Sequence, residues 1–275
     1  MAQLILDDGT VFTGRSFGAT TVAAGEVVFN TAMTGYPESL TDPSYKGQIL
    51  VLTYPLIGNY GVPGRSIKDL LLNFFESEKV QISGLVVATY TADYSHWNAL
   101  SSLSDWLREH NVPGICGIDT RALTKVLRER GTMLGKIVQN DPAEIEFFDP
   151  NKENLVALVS CKETITYTNI STTEPAPITA QSKYAGLRIM LVDCGVKNNI
   201  IRCLFNLGAT VIRVPWDDDF TLREYDGLVI SNGPGDPLKC SATIRHLEKA
   251  IQQSRPIFGI CLGNQLLSLA GGAKT

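Results

Sequence analysis

The second half of the chain alternates apolar strand-like runs with helix-like runs, and this alternation restricts the possible folds more than any other feature. It is typical of parallel sheets, because a parallel connection needs a crossover that is usually a helix. The runs are, in chain order, LRIMLVD (187–193), NNIIRCLFNLG (198–208), ATVIRVPW (209–216), YDGLVIS (225–231), ATIRHLEKAIQQS (242–254) and RPIFGI (255–260). The pattern predicts an α/β domain with a parallel sheet in residues 186–275.

The first half consists of short strand-like runs separated by turns, which indicates a strand-rich α+β domain in residues 1–165. Between the two halves, residues 166–185 lose apolar periodicity and collect Thr, Ser and Pro, so we interpret them as a linker. In the first half, strands are predicted at 3–6, 11–13, 26–31, 48–54 and 84–90, and helices at 102–110 and 121–130.

The composition argues against several classes of protein. The 275 residues carry a net charge of −4, and Lys and Arg are interspersed with acidic residues, so no nucleic-acid surface is expected. The N-terminus does not resemble a targeting peptide and no apolar run reaches about 18 residues, so we expect a cytoplasmic protein without membrane contact. The six cysteines and three histidines are scattered, which predicts no disulfide framework and no structural metal.

A cysteine stands between the last apolar strand and the following helix, with Gly259 and Gly263 two positions to either side. Small flanking residues let the chain turn sharply and expose the central side chain, as in the G-x-S-x-G nucleophile elbow. The helix N-terminus favours the thiolate of Cys261, and the next backbone N–H can donate to an oxyanion. Taken alone, the motif fits a buried apolar cysteine about equally well.

A second loop, SNGPGDP at 231–237, follows another apolar strand and should lie at the same edge of the sheet. Its two glycines leave backbone amides accessible to a substrate. On its own the loop fits a tight turn that starts the next helix, with Asp236 as the N-cap. Together, the two loops favour a cysteine nucleophile beside a backbone cradle.

The two loops together resemble those of the class I, or triad-type, glutamine amidotransferases. DCGVKNNIIR at 193–202, GEVVFNTAMTGYPESLTDPSYKGQILVLTYPLIGNYG at 25–61 and GIDTRALTKVLRERGTMLGKI at 117–137 resemble the small subunit of carbamoyl phosphate synthetase. SHWNALSSLSDWLREHNVPG and VPWD are most similar to the fused pyrimidine-pathway polypeptide that also carries aspartate transcarbamoylase and dihydroorotase. The resemblance implies a small-subunit domain followed by a flavodoxin-like amidotransferase domain.

The resemblance also implies roles for single residues. Cys261 would attack the side-chain amide of glutamine and release ammonia through a glutamyl thioester, and Gly235 and Leu262 would supply the oxyanion amides. The residues implied to hold glutamine are Ser44, Gly233, Gly235, Leu262 and Gln265. From local sequence alone, Ser44 would be a turn or cap serine and Gln265 a solvated helix residue.

Two departures from the family pattern stand out. Asn264 occupies a position where many relatives have histidine, and we expect this to affect only local packing or hydrogen bonding around Cys261. In the family, a histidine oriented by a glutamate activates the cysteine from a later loop, and these 275 residues contain neither. His246 lies in a helix-like run and is interpreted as a helix residue, so we expect a truncated amidotransferase domain with impaired turnover.

Three functions stay open on the sequence. The first is a glutaminase that passes ammonia to a synthetase large subunit or fused synthetase domains, in the pyrimidine pathway or its arginine counterpart. This chain would need no cofactor, whereas ATP and Mg²⁺ are implied for the synthetase part. The second is a docking or regulatory module without chemistry, and the third is an unrelated cysteine hydrolase.

Overall fold

The computed structural model describes residues 1–68, 70–139, 145–168 and 184–274. The chain divides into two compact units. The first consists of Met1–Ser66 and Leu72–Lys152, and the second of Ile67–Leu71 and Glu153–Thr275. Within the described residues, no helix is long and apolar enough to cross a membrane.

The first unit is built around a closed barrel. The strands between Met1 and Gln139 are β1 (Ala2–Leu6), β2 (Val11–Gly18), β3 (Ala23–Asn30), β4 (Gln48–Leu52), β5 (Val62–Pro63), β6 (Ile67–Lys68), β7 (Leu71–Leu72), β8 (Gly84–Val87), β9 (Ala99–Ser101), β10 (Pro113–Cys116) and β11 (Met133–Gln139). Among the described residues, the barrel order is β1-β11-β3-β4-β8-β10-β2. The three neighbouring pairs β3–β4, β4–β8 and β8–β10 are parallel, and the other barrel pairs are antiparallel.

The central strands of this barrel are buried on both faces. In β4, Ile49 and Val51 pack in one apolar cluster with Leu123, whereas Leu50 and Leu52 pack in another with Leu107. Continuous apolar runs are typical of such strands, and they explain why β4 and β8 do not alternate. Leu107 belongs to α2 (Leu103–Glu109) and Leu123 to α3 (Thr120–Arg130). The remaining helix of this unit is α1 (Tyr36–Thr41), and 3-10 turns lie at Pro43–Tyr45 and Pro150–Lys152 within the described residues.

The second unit contains a five-stranded sheet in the order β12-β14-β13-β15-β16. Its strands are β12 (Ile165–Tyr167), β13 (Arg188–Asp193), β14 (Thr210–Pro215), β15 (Gly227–Ile230) and β16 (Ile257–Gly259). Its helices are α4 (Leu155–Val159), α5 (Asn198–Asn206), α6 (Ser241–Ile251) and α7 (Leu262–Ala270), with 3-10 turns at Phe220–Leu222 and Pro237–Lys239. β13 to β16 pair in parallel, and β12 joins β14 in antiparallel register.

Alternate residues of the parallel strands pack against helices on opposite faces of the sheet. Met190 and Val192 of β13 belong to a cluster with Leu266 of α7, whereas Leu191 belongs to a cluster with Ile201 of α5. This arrangement confirms the alternating strands and helices predicted for the second half. The predicted helices at 102–110 and 121–130 are confirmed as well.

The boundary between the units differs from the sequence expectation. The sequence predicts the end of the first domain at residue 165, whereas the structure assigns residues 153–168 to the second unit. The reason is that β12 forms a ladder with β14, a pairing that its local sequence does not reveal. Most of the predicted linker lies outside the described residues.

Candidate active site

Three loops meet at one edge of the second unit's sheet, as expected for the carboxyl ends of parallel strands. β13, β15 and β16 are neighbours, and Val192, Ile230 and Gly259 lie side by side in the ladder. The loops that follow these residues are 194–197, 231–237 and 260–262. The candidate site therefore consists of backbone and side chains from three separate parts of the sequence.

Cys261 lies at the sharp turn between β16 and α7. Its backbone has φ 54 and ψ −112, a conformation that residues other than glycine rarely adopt. Strain of this kind costs about 1–3 kcal/mol and persists only where the surroundings enforce it. The side chain is exposed, which contradicts the interpretation of Cys261 as a buried apolar cysteine.

The two glycines of the elbow are required by close backbone contacts. A Cβ on Gly259 would lie 2.5 Å from the Gly263 carbonyl oxygen, and one on Gly263 would lie 2.2 Å from the Ile230 carbonyl oxygen. The Gly263 amide donates to the Ser231 carbonyl at 3.1 Å, which ties α7 to the neighbouring loop. Leu262 begins the helix, so no preceding turn of α7 supplies a carbonyl to its amide.

The glycine loop after β15 lies directly against the elbow. A Cβ on Gly233 would be 1.9 Å from the Cys194 carbonyl oxygen and 2.8 Å from the Leu262 side chain. Gly235 has φ +79, and Leu155 lies beside it. The Asp236 side chain accepts from the Leu238 amide at 2.9 Å, so Asp236 also has the capping role that its local sequence suggested.

A buried carboxylate holds the third loop, after β13. Asp193 is fully buried and accepts from the amides of Gly195 and Val196 at 2.9 and 2.8 Å. It also accepts from the Cys161 amide at 2.7 Å and from the Arg213 guanidinium at 2.6 and 2.8 Å. The sequence pattern does not predict this role for Asp193, because an acidic residue at a strand end is usually solvated.

The predicted site residues of the second unit lie at one edge of its sheet, and Ser44 belongs to the first unit. One sheet edge carries Cys261, Gly233, Gly235 and Leu262. Gln265 follows on the exposed first turns of α7, and its backbone N–H donates to the Cys261 carbonyl at 3.2 Å. Ser44 belongs to the first unit, half-buried in the turn Pro43–Tyr45, where its amide donates to Asp42 at 2.9 Å.

His246 is a helix residue, as predicted. It lies in α6, where its ring meets Phe220 edge to face and its Nε2 atom is 3.9 Å from the Asp219 carboxylate. These contacts give His246 a packing role in the second unit. Lys197 occupies the N-cap position of α5 without a side-chain capping bond, and Asn198 is the first residue of that helix.

The six cysteines should differ in reactivity. Burial raises the pKa of the Cys161 and Cys240 thiols to about 12, with smaller contributions from Asp193 and Asp236, respectively. Such a thiol is thiolate in only about one molecule in 10⁴ at about pH 8. We therefore expect iodoacetamide to alkylate the exposed Cys261 and Cys203 first, as read by peptide mass mapping. Equally fast alkylation of Cys161 and Cys203 would contradict the described burial.

Comparison with known proteins matches the two halves to two families. Residues 4–137 match "Carbamoyl-phosphate synthase small chain, CPSase domain", and residues 190–275 match "Glutamine amidotransferase class-I". Among similar curated proteins, the multifunctional protein CAD of Squalus acanthias is 51% identical over the whole chain. The mitochondrial carbamoyl-phosphate synthase [ammonia] of Aquarana catesbeiana is 50% identical over the whole chain, and the multifunctional protein pyr-3 of Neurospora crassa is 49% identical over 99% of it. The chain spans 12%, 18% and 16% of the length of these three relatives, respectively.

Proposed function

Since residues 4–137 belong to the carbamoyl-phosphate synthase small chains and residues 190–275 to the class I glutamine amidotransferases, we propose that this chain is the glutamine-hydrolysing part of a carbamoyl phosphate synthetase. The first unit corresponds to the small-chain domain and the second to a flavodoxin-like amidotransferase domain. We place the reaction at the first step of pyrimidine biosynthesis, with the arginine pathway as the alternative.

In the proposed reaction, the Cys261 sulfur attacks the side-chain amide carbon of L-glutamine. The carbonyl oxygen becomes an oxyanion that accepts hydrogen bonds from the Gly235 and Leu262 amides. Collapse of this intermediate breaks the carbon–nitrogen bond, and the leaving nitrogen takes up a proton and departs as ammonia. Water then attacks the glutamyl thioester, which releases glutamate and restores the thiol.

Glutamine binding is assigned to residues around the same backbone cradle. Gly233 and Gly235 present main-chain groups at the sheet edge, and Leu262 and Gln265 lie in the first turns of the helix that follows Cys261. The assignment of Ser44 rests on the resemblance alone.

Slow turnover is part of the proposal. The resemblance implies a histidine and a glutamate that activate the cysteine, and the histidines of this sequence are His96, His110 and His246. Loss of a general base typically lowers rates by about 10²–10⁴-fold. We therefore expect the 275-residue chain to form the thioester more readily than it completes cycles of hydrolysis.

The proposed partners follow from the same family assignment. Ammonia would pass to a synthetase large subunit or to fused synthetase domains, which would bind ATP and Mg²⁺. We propose no cofactor for this chain, no nucleic-acid or membrane partner, and a cytoplasmic location, although the Aquarana catesbeiana relative is named as mitochondrial.

One observation carries the proposal, namely the exposed Cys261 in a strained turn between two glycines that admit no side chain. To test it, the purified chain is treated with a glutamine-like chloroketone and its intact mass is measured. We expect one covalent adduct that glutamine suppresses and that Cys261→Ala abolishes. The matched control Cys203→Ala removes the other exposed cysteine of this unit and should retain the adduct.

The adduct experiment, together with a binding assay against a synthetase partner, separates the alternative functions. One relative that is 50% identical to this chain is named a carbamoyl-phosphate synthase [ammonia]. Because that name gives ammonia and not glutamine, it favours a docking module without chemistry as the second candidate. A folded chain that binds a synthetase partner but forms no adduct would support that module and refute the glutaminase. An adduct that excess glutamine does not suppress would point to a cysteine hydrolase with another substrate.

A further inference from the structure

We propose that Asn232 is a positioning residue whose side-chain amide holds the backbone of the glycine loop where the Gly235 amide can meet the oxyanion. This role rests on the proposed function. Asn232 does not reach the substrate in this proposal, and it acts only through the loop after β13. The group that it positions is the main chain from Gly233 to Gly235.

The Asn232 side chain spans two points of the neighbouring loop. It is 3% exposed, its Nδ2 donates to the Gly195 carbonyl at 3.0 Å, and its Oδ1 accepts from the Lys197 amide at 3.2 Å. Ser231 adds a third tie, because its hydroxyl accepts from the Cys194 amide at 2.9 Å and donates to the Asn232 carbonyl at 2.8 Å. Residues 194–197 are thereby fixed to the strand end that begins the glycine loop.

Close contacts between residues 194–195 and Gly233–Pro234 fix the main chain from Gly233 to Gly235, which we call the oxyanion cradle. An added Cβ on Gly195 would lie 3.0 Å from the Pro234 side chain and 3.2 Å from the Gly233 Cα. The corresponding position on Gly233 is 1.9 Å from the Cys194 carbonyl oxygen. With so little free space, the placement of residues 194–195 determines where Gly233 and Pro234 can lie. Gly235 follows directly and shares their placement.

An amide is the group that these two contacts require. Asn232 donates to a carbonyl and accepts from an N–H, so both ends of its side chain are used. Aspartate in its place retains the acceptor but directs a second oxygen at the Gly195 carbonyl. Alanine leaves both backbone groups unsatisfied in a buried position. Asn232→Asp therefore removes the hydrogen bond to the Gly195 carbonyl while preserving the size of the side chain.

The test compares two probes of the same thiol. A glutamine-like aldehyde forms a tetrahedral adduct whose oxygen needs the cradle, whereas iodoacetamide alkylates the sulfur without an oxyanion. For Asn232→Asp and Asn232→Ala we expect aldehyde affinity to fall about 10²-fold, as for a displaced oxyanion donor. Alkylation of Cys261 should stay within about twofold of the unmodified chain. Asn206→Asp, the same change at an exposed position of α5, should alter neither.

Three results would overturn the proposal. An unchanged aldehyde affinity in both variants would show that Asn232 does not position the cradle. An equal fold decrease in aldehyde affinity and in the rate of Cys261 alkylation would show that Asn232 maintains the whole turn at Cys261 and has no specific effect on the oxyanion. If the unmodified chain is alkylated at Cys261 but binds no aldehyde, the proposed function fails, and the positioning role fails with it.

Discussion

Replacing Gly233 with alanine should slow glutamine-suppressible labelling of Cys261 about 10²-fold. The added methyl group would lie 1.9 Å from the Cys194 carbonyl oxygen and 2.8 Å from the Leu262 side chain. The backbone oxygen cannot move aside by rotation, so the loop that carries the Gly235 amide must shift. A displacement of about 1 Å at such a site costs about 10²-fold in rate. Overpacking should also lower the free energy of unfolding by about 1–3 kcal/mol.

The matched substitution is Gly271→Ala. Gly271 ends α7 with φ −81, and the nearest atoms to an added Cβ lie at 3.4 and 3.5 Å, which is ordinary van der Waals contact. Labelling rate and melting temperature should therefore remain near those of the unmodified chain. Equal labelling by the Gly233→Ala and Gly271→Ala variants would refute the tight packing at the cradle.

The largest expected loss of stability follows from Asp193→Asn. The carboxylate is fully buried, pairs with Arg213 and accepts from three backbone amides, so neutralising it leaves a largely buried guanidinium without its counter-charge. Breaking a buried pair by removing one partner typically costs about 3–5 kcal/mol. Urea denaturation followed by a probe in the second unit should show this loss as a lower midpoint.

Glu224→Gln provides the comparison for this change. Glu224 is 85% exposed on its side chain and pairs with Arg188 at 3.4 Å, also in the second unit. Exposed pairs of this kind contribute about 0–1 kcal/mol, so its midpoint should hardly move. Similar midpoints for the Asp193→Asn and Glu224→Gln variants would mean that the Asp193 cluster does not stabilise the unit.

The alternating pattern of the second half was sufficient to predict its sheet and the edge at which the loops meet. This succeeded because strand and helix runs are encoded locally, and parallel pairing follows from their alternation. Closure of the first unit into a barrel was not predicted. It depends on pairs that are distant in sequence, such as β1 with β11, which no local pattern specifies. The sequence does not predict β12 for the same reason, because this strand pairs with the distant β14.

For the candidate site, the sequence singled out Cys261 and the glycine loop but not the side chains that hold the surrounding backbone. Cys261 and Gly233 lie in motifs whose spacing is itself informative. Asp193 and Asn232 look like ordinary strand-end and turn residues, and their roles become visible only through partners from 2 to 37 positions away. The predicted roles of Ser44 and Gln265 stay predictions.

The unusual backbone at Cys261 links chemistry to folding. The turn lies in a conformation that an unfolded chain would abandon, and the contacts that enforce it come from Ile230 and Ser231 on the adjacent strand and loop. An isolated peptide spanning β16 and α7 would contain the same cysteine but not the same geometry. Selective reaction at this thiol therefore reports that the strands have assembled, and it can serve as a sensor of the folded second unit.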